Sequence, residues 1–69
     1  MNIKIINSTN GTVVAEKRTN CIPRAKENIR IDGTSYEVIE VMHDFDKGCI
    51  YIAVKRGVTI SYVNHYFNN

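Results

Sequence analysis

Ile22 to Arg56 read IPRAKENIRIDGTSYEVIEVMHDFDKGCIYIAVKR, and the fold is decided in this stretch. Pro23 cannot donate to a sheet ladder, so it belongs to a turn or an edge. Asn28 to Ile31 then form a short strand, with Ile29 and Ile31 on one face and Arg30 on the other. Asp32-Gly33 is the strongest hairpin signal in the chain, because both residue types accept the positive φ that a two-residue turn needs. The strand that follows, Ser35 to His43, is the longest. Tyr36 and Val38 share one phase along it, and Ile39 and Val41 share the other. Such a phase change predicts a β-bulge, or a strand bent between two sheet faces. Asp44 to Gly48 is a polar turn. Cys49 to Val54 is nearly all apolar in both phases, which marks the central strand of a sheet.

Outward from this stretch the chain reads as more strands. Asn2 to Asn7 carry Ile3, Ile5 and Ile6 with Lys4 alternating outward, and Thr12 to Arg18 carry Val13, Val14 and Ala15. Ser8-Thr9-Asn10-Gly11 joins them as a hairpin turn. Lys17-Arg18 ends the second strand on charges that discourage edge pairing. Arg24 to Glu27 are good helix formers, enough for one helical turn and no more. After Arg56-Gly57, Val58, Ile60 and Tyr62 alternate with polar residues as a strand would, while Val58, Tyr62, Val63, Tyr66 and Phe67 also fit helical spacing. The expected architecture is a single all-β domain over residues 1–69. It would be a small antiparallel barrel of five to six strands, with a short C-terminal helical turn as an option. Its expected core is Ile5, Val13, Ile29, Ile31, Val38, Val41, Ile50, Ile52 and Val54.

The spacing Ile22-Pro23-Arg24, Glu27, Ile29, Ile31-Asp32-Gly33, Tyr36, Val38, Val41, His43-Asp44 resembles small phage and prophage proteins of Gram-positive bacteria built as SH3-like β-barrels. The resemblance covers about half the chain, from Ile22 to Val54. It rests on turn and core positions and carries over no catalytic residue. Such barrels often have Gly in the Pro-led turn, where this chain has Ala25-Lys26. The resemblance implies a phage accessory protein that binds and modulates, by inhibition, a host protein such as a defence enzyme. Its location would then be the host cytoplasm.

Composition narrows the function classes. A chain of 69 residues has room for one core and little to spare, so a partner copy would add stability. Met1 to Ala15 hold one Lys and no long apolar run, which argues against a leader and for the cytoplasm. No run approaches the roughly 18 apolar residues of a membrane span. The net charge of +2 conceals blocks. Residues 1–30 hold six Lys/Arg against two acids. Residues 31–46 hold five acids and no Lys/Arg, and residues 47–69 hold three Lys/Arg and no acid. Blocks of this kind are either complementary neighbours in the fold or a two-faced surface that steers a charged partner. Cys21 and Cys49 lie 28 positions apart and read as small buried hydrophobes, with a disulfide as the alternative.

Catalytic patterns are missing from the sequence. His43-Asp44-Phe45-Asp46 is the nearest approach to a metal set, but Lys47 and the absence of a later Glu break the calcium-loop pattern, and Asp-x-Asp before Gly is ordinary turn chemistry. Glu37 and Glu40, three apart on a strand, point to opposite faces unless a bulge re-aims one. No nucleophile signature or Gly-rich phosphate loop is present. The reading is a non-enzymatic binding module without a cofactor or a metal. Its partner-binding residues would be Tyr51, Tyr62, Tyr66 and Phe67, since aromatics are enriched where interfaces concentrate their energy. The alternatives are a nucleic-acid binder using Arg18, Arg24, Arg30, Lys55 and Arg56, and an oligomer that sequesters a small ligand.

Overall fold

The computed structural model describes residues 2–57. They form one curled, half-barrel sheet of five strands with no helix among the described residues. In chain order these are β1 (Asn2–Asn7), β2 (Val13–Arg18), β3 (Asn28–Ile31), β4 (Thr34–Asp44) and β5 (Cys49–Arg56). In space the order is β2-β1-β5-β4-β3, which puts β5 at the centre, as its filled phases require. The expected sixth strand and C-terminal helical turn lie outside the described residues.

One expectation about the sheet is corrected. It is mixed, not antiparallel throughout, because β1 and β5 run parallel, from Asn2 opposite Cys49 to Asn7 opposite Val54. Ser8 N–H donates to the Val54 carbonyl at 2.8 Å and extends the pairing. The cause is topological. The connector after β2 carries the chain to the far edge, where β3 starts a three-strand antiparallel meander. Two reversals later β5 runs in the direction of β3 and arrives beside β1.

The turns follow local chemistry. Asp32 (φ 49°) and Gly33 (φ 81°) both take positive φ between the paired Ile31 and Thr34, which makes the two-residue hairpin that Asp-Gly favours. In the first hairpin Thr9 N–H donates to Asn7 Oδ1 at 2.9 Å and Thr12 N–H to Asn10 Oδ1 at 3.0 Å. Between β4 and β5, Asp44 Oδ1 accepts from the backbone N–H groups of Asp46 (3.0 Å) and Lys47 (3.1 Å).

Residues 24–27 form a β-turn in place of the expected helical turn. Glu27 N–H donates to the Arg24 carbonyl at 3.1 Å, and Lys26 sits at φ 74°. Positive φ at the third position is the type II pattern, which favours Gly. Lys26 N–H then donates to the Val38 carbonyl, and Val38 N–H to the Glu27 carbonyl, both at 2.8 Å. Two residues therefore face one across β4, a bulge whose first residue is normally Gly. Arg24 N–H donates to Glu27 Oε1 at 2.6 Å and closes the turn. Lys26 thus holds a conformation that ordinarily favours Gly.

The core is Ile3, Ile5, Ile31, Val38, Ile50, Ile52 and Val54, with Ile29 and Val41 packed against it. Ile3 was not among the expected core residues. Val13 is a correction in the other direction, being 53% exposed. The β1–β2 register shifts between Ile5 and Ile6, so Val14 falls in a bulge and packs against the core while Val13 turns out. The expected bulge in β4 is present, with the register slipping between Val38 and Glu40 at Ile39. Ile39 is itself exposed, and Val41 returns to the inner face opposite Ile52. Cys21 is exposed and Cys49 half-buried, and both are free thiols, against the expectation of two buried ones.

Two outcomes follow from this packing. Ile52 is fully buried on the central strand. Ile52→Ala should cost about 2–5 kcal/mol in chemical denaturation, and a loss below about 1 kcal/mol would remove it from the centre of the core. Lys26→Gly should raise stability by up to about 1 kcal/mol, because the left-handed region costs a non-glycine residue about 1–2 kcal/mol and the entropy of Gly returns part of that. A destabilised Lys26→Gly protein would contradict the strained turn.

Candidate protein-contact surface

Alternation along β1, β2, β4 and β5, reset by the bulges at Val14 and Ile39, decides what reaches the outer face. Across neighbouring strands one outer row runs Glu16, Lys4, Tyr51 and Met42, and the next runs Val13, Ile6, Ala53 and Glu40. Val13, Ile6, Ala53, Tyr51 and Met42 therefore make a diagonal apolar band across four strands. Met42 is 56% exposed. Ile6, Ala53, Tyr51, Met42 and Glu40 line an open groove of about 110 Å³ in the middle of the band.

Two ion pairs border it. Lys4 Nζ lies 3.3 Å from Glu16 Oε1 on one side, and Lys55 Nζ lies 3.5 Å from Glu37 Oε1 on the other. The bulge at Ile39 matters here as well. Glu37 faces Lys55 and Glu40 faces Ala53, so both carboxylates are on the outer face, where plain alternation would have separated them. Glu37 is held by Lys55, and Glu40 is at the rim of the groove.

Of the four expected partner-binding residues, Tyr51 stands in the middle of this band. Tyr62, Tyr66 and Phe67 lie outside the described residues. The five expected nucleic-acid residues do not gather into one patch. Arg18 is opposite Asn2, at the end of the sheet where β5 begins, and Lys55 and Arg56 are at the other end of β5. That separation is about 20 Å along the strand and about 10 Å across it. Arg30 joins the Lys55 end through Ser35, since Ser35 pairs with Arg30 and accepts from Gly57 N–H. Arg24 is paired with Glu27 at 3.5 Å, and Lys55 with Glu37.

The sequence did not single out Met42, Ile6, Ala53 or Val13 for this surface. The signal was present in the phase change of β4. Once Ile39 is assigned to the bulge, Met42 must face outward beside Tyr51. The His43-Asp44-Phe45-Asp46 stretch is occupied by its own turn, with Asp44 engaged by two backbone amides and the His43 ring stacked on Phe45 at 6.4 Å between centroids. Among the described residues no group of three or more His, Cys, Asp or Glu could hold a metal ion. No helix among them is long and apolar enough to cross a membrane.

No protein-family model, no curated protein and no solved structure matches the chain.

Tyr51 has one unusual chemical feature. A hydrogen bond between its hydroxyl and Cys49, two residues back on the same face, holds its ionisation above the ordinary 10.0. Desolvation and unfavourable charge interactions with Cys49 and Asp44 push the same way. A phenol raised in the folded state contributes stability that is fully present below the unfolded value and lost as the pH climbs through the folded one. In ultraviolet phenolate titration, the difference between the parent protein and Tyr51→Phe should show an ionisation above the usual range. Cys49→Ala should bring that ionisation down, and a titration unchanged by Cys49→Ala would refute the hydrogen bond as its cause.

Proposed function

We propose that this protein is a small non-enzymatic binding module whose partner is another protein, held on the diagonal band of Val13, Ile6, Ala53, Tyr51 and Met42. The observation that carries this reading is the band itself. It is apolar, runs across four strands, and lies on the face opposite the core, so packing the core does not account for it. Its make-up also suits an interface. Tyr and Met are enriched at such surfaces, and the bordering ion pairs form a polar rim. The titratable groups support binding over catalysis. Glu37 is tied to Lys55, Asp44 is tied to its turn, and His43 is stacked on Phe45.

The fuller version of the proposal comes from the resemblance. The chain is then an SH3-like barrel of phage origin that binds and inhibits a host protein. The meander β3–β4–β5 with its bulged long strand is compatible with such a barrel.

The test is a comparison of baits. Val13 and Met42 are both more than half exposed, so replacing both with Thr, which suits strands, should leave stability nearly unchanged. A protein retained from nuclease-treated lysate by the parent should be lost by the Val13→Thr/Met42→Thr variant. The purified partner should then bind the variant at least about tenfold more weakly in calorimetry. Equal retention by both baits would reject the band, and loss of all capture on nuclease treatment would reject a protein partner.

A further inference from the structure

The groove in the apolar band has a defined shape and one unbalanced charge. On the outer face, Ile6, Ala53 and Glu40 stand at one level of the sheet, and Lys4, Tyr51 and Met42 stand at the next. Ala53 is the small residue among them, so the surface dips over it. Ile6 and Glu40 flank the dip, and Tyr51 and Met42 close one end. Residues paired in register share a face, so all five lining side chains belong to the outer one. The volume of about 110 Å³ is well below the roughly 300–1,000 Å³ of small-molecule sites, so the dip suits one long side chain and no more.

We propose that this dip receives an arginine side chain of the partner protein, an inference that rests on the band being the contact surface. Charge selects the occupant. Glu40 is exposed, and among the described residues its side chain makes no ion pair and no hydrogen bond. The lysines that border the band are each held by a carboxylate of their own. Lys4 Nζ is 3.3 Å from Glu16 Oε1, and Lys55 Nζ is 3.5 Å from Glu37 Oε1. Two lysines therefore stand against three carboxylates around the band, in a chain whose total charge is +2. The carboxylate left over is the one that lines the dip. An apolar dip with an unmatched negative charge at its rim suits a side chain with an aliphatic stem and a cationic head. Arginine meets these walls better than lysine does. Its planar fork can take both oxygens of Glu40, its flat face can stack on the Tyr51 ring, and it sheds water more readily than an ammonium.

The probes are capped peptides Thr-Val-X-Val-Thr, with arginine, lysine or citrulline at X, titrated into the full chain at low salt and followed by amide chemical shifts. Citrulline keeps the shape of arginine and lacks its charge. The arginine peptide should bind saturably, with shift changes centred on Ile6, Glu40, Met42, Tyr51 and Ala53. The lysine and citrulline peptides should bind at least about fivefold more weakly. Glu40→Gln alters an exposed side chain and should leave the melting temperature unchanged. It should weaken the arginine peptide at least about fivefold and the citrulline peptide less than about twofold, which isolates the charge contact. Ala53→Val fills the dip with a residue that suits strands and should weaken both peptides. No saturable binding of the arginine peptide would overturn the proposal, and so would citrulline bound as tightly as arginine, or an equal effect of Glu40→Gln on both. Lysine bound as tightly as arginine would overturn the choice of arginine. Lysate capture separates this inference from the reading beneath it. Capture lost by Val13→Thr/Met42→Thr but kept in full by Glu40→Gln would leave the band standing and reject the arginine contact, whereas capture kept by both variants would reject both.

Discussion

Everything in this fold depends on β5 pairing with β1. Without that contact the described chain is two pieces, the β1–β2 hairpin and the β3–β4–β5 meander. A lone hairpin is marginal in water, and three strands need a covered apolar face. The pairing places Ile3 opposite Ile50 and Ile5 opposite Ile52, and so gathers the residues that the core needs from both pieces. It is also the contact between the parts most distant along the described sequence. Its loop-closure entropy must be met before any of its burial is gained, so the local hairpins have reason to form earlier.

The strands and turns were legible because their signals are local. Asp32-Gly33 needs only its own two backbones to be read, and the polar loop at Asp44 is an Asx turn whatever surrounds it. The filled phases of Cys49 to Val54 placed β5 at the centre, although only Ile50, Ile52 and Val54 meet the core, while Tyr51 and Ala53 face outward in the band. The parallel β1–β5 pair was not legible. Turn chemistry reports which neighbours along the chain form hairpins, and nothing in Ile3 to Ile6 states which distant strand will lie beside them.

The bulges explain most of the remaining differences. Each one reverses inside and outside for every residue beyond it. At Ile39 the reversal could be read, because Tyr36-Val38 and Val41 fall on opposite phases and all are apolar. At Val14 it could not, because Val13, Val14 and Ala15 are apolar in succession and fit either register. Val13 was therefore expected inside. At Lys26 the residue type itself misleads, since a lysine rarely occupies a left-handed position and here does so within a hydrogen-bonded turn. The same bulges build the apolar band. With regular alternation through Ile39, Met42 would turn inward and Glu37 and Glu40 would part to opposite faces.

The charge blocks resolve in a similar way. Lys55–Glu37 joins the acidic middle of the chain to its basic end, whereas Lys4–Glu16 and Arg24–Glu27 form within the first block. Exposed pairs of this kind add little stability, about 0–1 kcal/mol each. Their position says more than their energy. Lys55–Glu37 and Lys4–Glu16 border the apolar band, so a protein docked there as proposed would meet charges of both signs around an apolar centre, an arrangement that favours selectivity over general adhesion.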